Sequence, residues 1–302
     1  MKIGLATTFG DTPYRDIAFL KDYAVATEAL GYHSLWAPEH IVFFPKYESD
    51  YPYESEGKVP WKNKGGLYDP LLVLAVASQV TTRLRFGTTV LVVPERPALL
   101  TAKEVMTLDH ITGGRLEFGA GLGWSAEEYG ALGVSWEDRG ARFDEYLDVI
   151  KLVWRQSPAD FDGKFVKFKN VMVEPLPLTP GGPPILIGGN SKPALRRAVR
   201  IGDGWYGVWK GEMELEPVLN QLLEYLEAAG RHRDDGFRIK VNVPLTADLP
   251  PDEVARKLEE AERLGLHELV LGLPIRSRHF DHDMRFWADL TGIEKRPVSE
   301  TA

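Results

Sequence analysis

Short apolar runs with strand character alternate with helical periods eight times along this 302-residue chain. The runs are "KIGLAT" (2–7), "SLW" (34–36), "LRFGTTVLV" (84–92) and "RLEFGAG" (115–121), then "PPILIGG" (183–189), "GWYGV" (204–208), "FRIKVNVPL" (237–245) and "ELVLGL" (268–273). Parallel strands cannot be joined by a tight turn and need a crossover, so strict βα alternation implies a parallel sheet covered by helices. Eight such units in about 300 residues suit a closed (β/α)8 barrel, an α/β fold of the TIM type, better than an open doubly wound sheet. No composition break and no fixed-period repeat divides the chain, so residues 1–302 are expected to form one domain.

The helical segments carry their own punctuation. The stretch from Asp16 to Leu30 stops at Gly31, a residue that tolerates left-handed geometry. "DPLLVLAVASQV" (69–80) opens with Asp69 as an N-cap and Pro70 at the first helical position. The segment 97–111 is closed by Gly113-Gly114. A fourth helix, from about Ser135 to Arg155, puts Phe143, Tyr146, Leu147, Ile150, Val153 and Trp154 on one face. Helices are further expected over 192–201, along the Leu215–Leu226 stripe, along Val254–Leu264 and over Asp281–Leu290. Two connections are too long to be simple turns. One, 38–68, is aromatic and follows the second strand, which places it at the face where barrel enzymes keep their sites. The other, 156–183, is an insertion after helix 4 and carries a hairpin pattern.

Composition narrows the function. A net charge of -8 argues against a general binder of nucleic acid or of anionic membranes, although a local basic patch could still bind phosphate; a small-molecule substrate is the expected partner. The absence of cysteine removes disulfides, thiolate metal sites and cysteine nucleophiles. The N-terminus lacks the apolar core of a signal peptide, and the longest apolar stretch, Pro70 to Ala77, falls far short of the roughly 20 residues that span a bilayer. A cytoplasmic protein is the expectation. His279 and His282 have no carboxylate cluster beside them and read as a solvated helix start, not a metal site.

Three groups of residues carry chemistry. "GAGLGW" (119–124) and "IGGNS" (187–191) are strand–glycine–helix turns, which present backbone N–H groups and a helix N-terminus to an anion. Gly188 and Gly189 permit close approach, and Asn190 and Ser191 add side-chain donors. The alternative is a tight turn that needs glycine for its own geometry. "GAGLG" opens the fourth unit, which is the wrong place for a dinucleotide fingerprint. In "WAPEH", Glu39 and His40 sit beyond the second strand and form an acid–imidazole pair suited to proton transfer; the alternative is a solvated loop. Trp36, Trp124, Trp205, Tyr206 and Trp209 fall at strand ends, as a ring for a flat π-system or as ordinary barrel core.

With these motifs in place the chain resembles the bacterial luciferase-like monooxygenases, closest to the branch of deazaflavin-dependent oxidoreductases. The resemblance runs from "KIGLATTFG" to about Gly236 through "GYHSLWAPEHI", "YPYESEGKVP", the long block from "DPLLVLAVASQV" to "DVIKLVW", and "PPILIGGNSKPALRRAVRIGDGWYG". It implies a (β/α)8 barrel with coenzyme F420, or alternatively FMN, at the C-terminal mouth. It implies a cofactor phosphate on Gly188, Gly189, Asn190 and Ser191, with Gly121, Gly123, Trp124 and Trp205 along the cofactor. A non-proline cis peptide is implied at Thr89–Val90 beneath the ring, with His40 and Glu39 facing it. Many relatives have Asp where Glu39 stands, which makes His40 the firmer proton-transfer residue. Arg96, Lys192 and Arg196 are candidates for the deazaflavin's anionic tail, and a homodimer is implied. Hydride transfer between F420 and an organic substrate is the leading expectation. The alternatives are an FMN monooxygenase that uses O2 and a phosphate-binding barrel lyase or isomerase.

Overall fold

The computed structural model describes residues 1–10, 16–53, 56–59, 66–210, 213–245, 250–273 and 280–293. In chain order its elements are β1 (Lys2–Ala6), α1 (Ile17–Ala29), β2 (Ser34–Ala37), α2 (Pro70–Ser78), β3 (Arg85–Thr88), β4 (Leu91–Val92) and α3 (Ala98–Thr112). There follow β5 (Leu116–Gly121), α4 (Ala126–Ala131), α5 (Arg139–Val153), β6 (Ala159–Asp162), β7 (Lys167–Val171), β8 (Ile185–Gly188) and α6 (Lys192–Ile201). The last are β9 (Gly204–Val208), α7 (Glu216–Ala228), β10 (Arg238–Pro244), α8 (Pro251–Arg263), β11 (Glu268–Gly272) and α9 (Phe280–Leu290).

The sheet is parallel in the order β3-β2-β1-β11-β10-β9-β8-β5, and β3 pairs with β5 to close it. This is the expected eight-stranded barrel. The run 84–92, read as one strand, is split: the Thr89–Val90 peptide is cis, and β4 resumes the pairing with β5 beyond it. Strands buried on both faces read as near-continuous apolar runs, and β5 shows this with every residue buried.

Helix ends follow the sequence. The Asp69 side chain accepts from Leu71 N and Leu72 N at 2.9 and 3.2 Å, with Pro70 at the first helical position. Asp16 caps α1 by accepting from Phe19 N at 2.8 Å. Gly113, at φ 65°, ends α3 in the left-handed conformation. The stripe from Phe143 to Trp154 is buried. The 156–183 insertion does contain an antiparallel hairpin, β6 with β7. The fourth helix begins at Arg139, not Ser135, and a short helix that the periodicity did not suggest, α4, precedes it.

The barrel interior is layered. Toward the N-terminal ends of the strands, Lys240 Nζ sits between the carboxylates of Glu117 and Glu268, all three buried. Ser34 Oγ donates to Glu268 and accepts from Trp36 Nε1 at 2.6 Å. Burial opposes ionisation of Glu117, but Lys240, Arg238 and Arg85 outweigh it and hold the carboxyl well below its usual range. Above lies an apolar layer of Ala6, Trp36, Leu186, Tyr206 and Val270. Trp36, Trp205 and Trp209 therefore belong to the core, and the ring of aromatics at the mouth is narrower than the sequence suggested.

Candidate active site

A cavity of about 1060 Å³ opens at the C-terminal ends of the strands. Glu39, His40, Thr89, Val90, Gly121, Gly123, Trp124, Gly188, Gly189, Asn190 and Ser191 all line it. Of the residues expected along the cofactor's ring and phosphate, Trp205 does not line it. It is buried beneath the turn, where its indole Nε1 donates to Gly189 O at 2.8 Å. It braces the turn from behind and does not reach the cavity wall.

His40 is held by a residue the sequence reading did not choose. Its Nδ1 lies 2.9 Å from Glu128 Oε2, on α4. The other oxygen of Glu128 accepts from Ile41 N at 2.6 Å and from Val42 N at 3.2 Å. Ser125 caps α4 by accepting from Glu128 N at 3.1 Å. The neighbouring Glu127 takes Glu48 N and Ser49 N at 2.5 and 2.8 Å. The first turn of α4 thus bolts down the stem of the loop that follows β2, and fixes one edge of the imidazole as it does so. A carboxylate on Nδ1 fixes the ring's orientation and selects its tautomer. The signal was present as Ser125-x-x-Glu128, a capping-box pattern, but here the glutamate turns away from the helix to serve His40.

Glu39 has a different set of partners. It is 4% exposed and both its oxygens are engaged. Oε1 accepts from Arg96 Nε at 2.8 Å, and Oε2 accepts from Val92 N at 2.6 Å. Arg96 also pairs with Asp69 and Glu104. Burial pushes the Glu39 carboxyl up, and the guanidinium works against it. The acid–imidazole pair read from "WAPEH" is therefore two separate devices: Glu39 locks the start of the loop to Arg96 and β4, while Glu128 orients His40. Arg96 is spoken for and does not line the cavity, nor do Lys192 and Arg196; among the described residues, Arg197 and Lys210 do.

The glycine turns serve two masters. A Cβ on Gly121 would lie 2.3 Å from Val90 Cγ2, and one on Gly188 would lie 2.6 Å from Val90 Cγ1. Val90 is wedged between β5 and β8, and those glycines make room for it. Gly189, at φ 105°, needs glycine for conformation alone. Ser191 Oγ caps α6 by accepting from Ala194 N at 3.4 Å. Asn190 spends its amide on Val208, donating to its O at 2.6 Å and accepting from its N at 3.1 Å, so it closes the turn against β9.

At the opposite end the wall is aromatic. Trp124 packs edge-on to His40 with centroids 5.8 Å apart, and near Tyr51 and Tyr47 at 5.2 and 5.0 Å. Phe43 stands 5.4 Å from His40. Of the two histidines of "RHFDHD", His279 lies outside the described residues; among the described residues no group of His, Asp and Glu is placed to hold a metal.

Glu95 completes the surroundings. It is 8% exposed, and its Oε2 is buried with no hydrogen-bond partner. Burial, then the charges of Glu128 and Glu39, push its carboxyl from an ordinary 4.5 up to about 9, against the pull of Arg96. The folded state then holds a proton that the unfolded chain releases above its ordinary value. The linkage sign follows: stability falls as pH rises through the window from 4.5 to about 9. Glu95→Gln cannot ionise, so its stability advantage over the parent is expected to widen across that window. Denaturation midpoints at pH 5, 7 and 9 measure this, and a constant difference would refute it.

The luciferase-like monooxygenase family model matches residues 1–296. An uncharacterized protein of Mycobacterium tuberculosis is 31% identical over 250 residues, which is 83% of this chain and 85% of that one. The FMNH2-dependent dimethylsulfone monooxygenase of Pseudomonas putida is 27% identical over 84% of this chain and 63% of its own. Among solved structures, the coenzyme F420-dependent tetrahydromethanopterin reductase of Methanopyrus kandleri superposes with a TM-score of 0.73 at 16% identity, over 95% of this chain and 98% of that one.

Proposed function

Because the chain belongs to the luciferase-like monooxygenase family, whose members are F420- or FMN-dependent oxidoreductases and monooxygenases, we propose that it moves a hydride between coenzyme F420 and a small organic substrate. The observation that carries this reading is the imidazole of His40 on the cavity wall, with Nδ1 tied to Glu128 at 2.9 Å. Hydride transfer to a carbonyl carbon must be matched by a proton at oxygen, and a positioned histidine provides it.

The residues present fit a cofactor of this kind. The Gly188–Gly189 turn at the N-terminus of α6, Ser191 Oγ and Arg197 would hold its phosphate. Val90 would support the flat ring. Bound there, a deazaflavin would give or take the hydride, whereas reduced FMN would bring oxygen chemistry. His40 Nε2 would deliver or collect the proton. Trp124, Phe43 and Tyr51 would exclude water around it and favour an uncharged, largely apolar substrate.

A second reading, an FMN-dependent monooxygenase, is favoured by one observation: the 27% identity to the dimethylsulfone enzyme. Titrating the purified protein with F420 and with FMN, then following turnover with and without O2, tests both. F420 binding with oxygen-independent turnover is the expected result. FMN binding with stoichiometric O2 consumption replaces the first reading by the second, and binding of neither cofactor overturns both.

A further inference from the structure

Among the described residues, four buried tyrosines find partners for their hydroxyls. Tyr23 OH meets Thr7 Oγ1 at 2.7 Å, Tyr32 OH donates to Met284 O at 2.8 Å, and Tyr129 OH donates to Leu122 O at 2.6 Å. Tyr146 OH accepts from Arg142 at 3.2 Å. Tyr206 breaks the pattern. It is 1% exposed, and its hydroxyl is buried without a hydrogen bond. Burial holds that hydroxyl in its neutral form; Thr89 and Asn242 stand beside it and pull the other way, but neither reaches hydrogen-bonding geometry with it. Asn242 itself makes one long contact, Nδ2 to Val270 O at 3.4 Å. Tyr206, Thr89 and Asn242 all line the cavity.

A buried polar atom with no partner destabilises the fold that contains it, and its persistence calls for an explanation. Phenylalanine would fill the same volume without that cost. The Tyr206 ring is not free to seek another partner, because it packs on Trp36 with centroids 4.7 Å apart in the apolar layer. Three neutral groups that can each donate and accept therefore meet in the cavity. They suit a neutral ligand edge in which C=O and N–H alternate, and they suit an anion poorly.

We propose that Tyr206, with Asn242 and Thr89, forms a polar floor that hydrogen-bonds the amide-like edge of a flavin-type ring. This rests on the reading of the cavity as a flavin or deazaflavin site, and holds for F420 and FMN alike because they share that edge. Tyr206 is a binding residue in this assignment. The proton work stays with His40.

The test is Tyr206→Phe, read without turnover. Cofactor-free Y206F is expected to melt at a higher temperature than the parent, because the orphan hydroxyl is gone. Its affinity for F420 or FMN, measured by fluorescence titration, is expected to fall about five- to tenfold. A residue that merely packed the core would not move these two quantities in opposite directions. Unchanged cofactor affinity overturns the proposal. So does an altered substrate KM with unchanged cofactor affinity, since the floor would then face the substrate. If the parent binds neither cofactor, the failure belongs to the proposed function. If Y206F does not fold, ultraviolet resonance Raman of the parent decides: a change in a tyrosine hydrogen-bonding signature on adding cofactor supports the floor, and no change removes it.

Discussion

His40→Ala is expected to lower turnover about 10²- to 10⁴-fold, the range attributed to one general acid–base group. Cofactor affinity should stay within about twofold, because the groups proposed to hold the phosphate and ring lie on other strands. The loss should appear in kcat and in kcat/KM together, as expected for an interaction made in the transition state. Glu128→Gln separates orientation from proton transfer. It keeps the shape of the side chain but removes the charge on Nδ1, and a loss of about 10- to 100-fold is expected, the scale seen when a partner that orients a functional histidine is removed. Retained turnover in H40A would sink the proton-transfer role outright.

Arg96→Met is expected to cost about 3–5 kcal/mol of stability, the scale for breaking a buried ion pair from one side. The reason is local. Glu39 is almost fully buried, and its Oε1 depends on the guanidinium. Without Arg96, the clustered carboxylates of Glu39, Asp69 and Glu104 lose the cation they share. Urea denaturation of the parent and of R96M measures the difference, and a loss below about 1 kcal/mol would show that the cluster relaxes without it. The double variant with Glu39→Gln should recover part of the loss, since the charge left stranded in R96M is removed as well.

Much of the architecture was readable from the chain because it rests on period and punctuation. Eight apolar runs, Asp69-Pro70 and Gly113 act locally, and each appears where local rules place it. The break at Thr89–Val90 was invisible to periodicity, since Thr and Val look like any strand residues; the family resemblance supplied it. The strand–glycine–helix turn at 187–191 was legible through its glycines, but the reason for Gly121 and Gly188 was not, because Val90 reaches them only once the strands close into a barrel. The partnerships within the site were the least legible. Glu39 and His40 are adjacent in sequence, yet each pairs with a residue far along the chain, Arg96 and Glu128. Adjacency suggested a pair. Partners brought close by the fold, Arg96 and Glu128, separated it. Tyr206 was legible as a strand-end aromatic, but its hydroxyl was not, because an unsatisfied hydroxyl is a property of the packed interior.

The salt-bridged layer of Lys240, Glu117 and Glu268 also bears on traffic. With that layer and the Trp36–Tyr206 stratum above it, the barrel is a well with a stoppered base. Whatever the cavity takes up therefore enters and leaves at the C-terminal ends of the strands, where His40 and Trp124 stand in its wall.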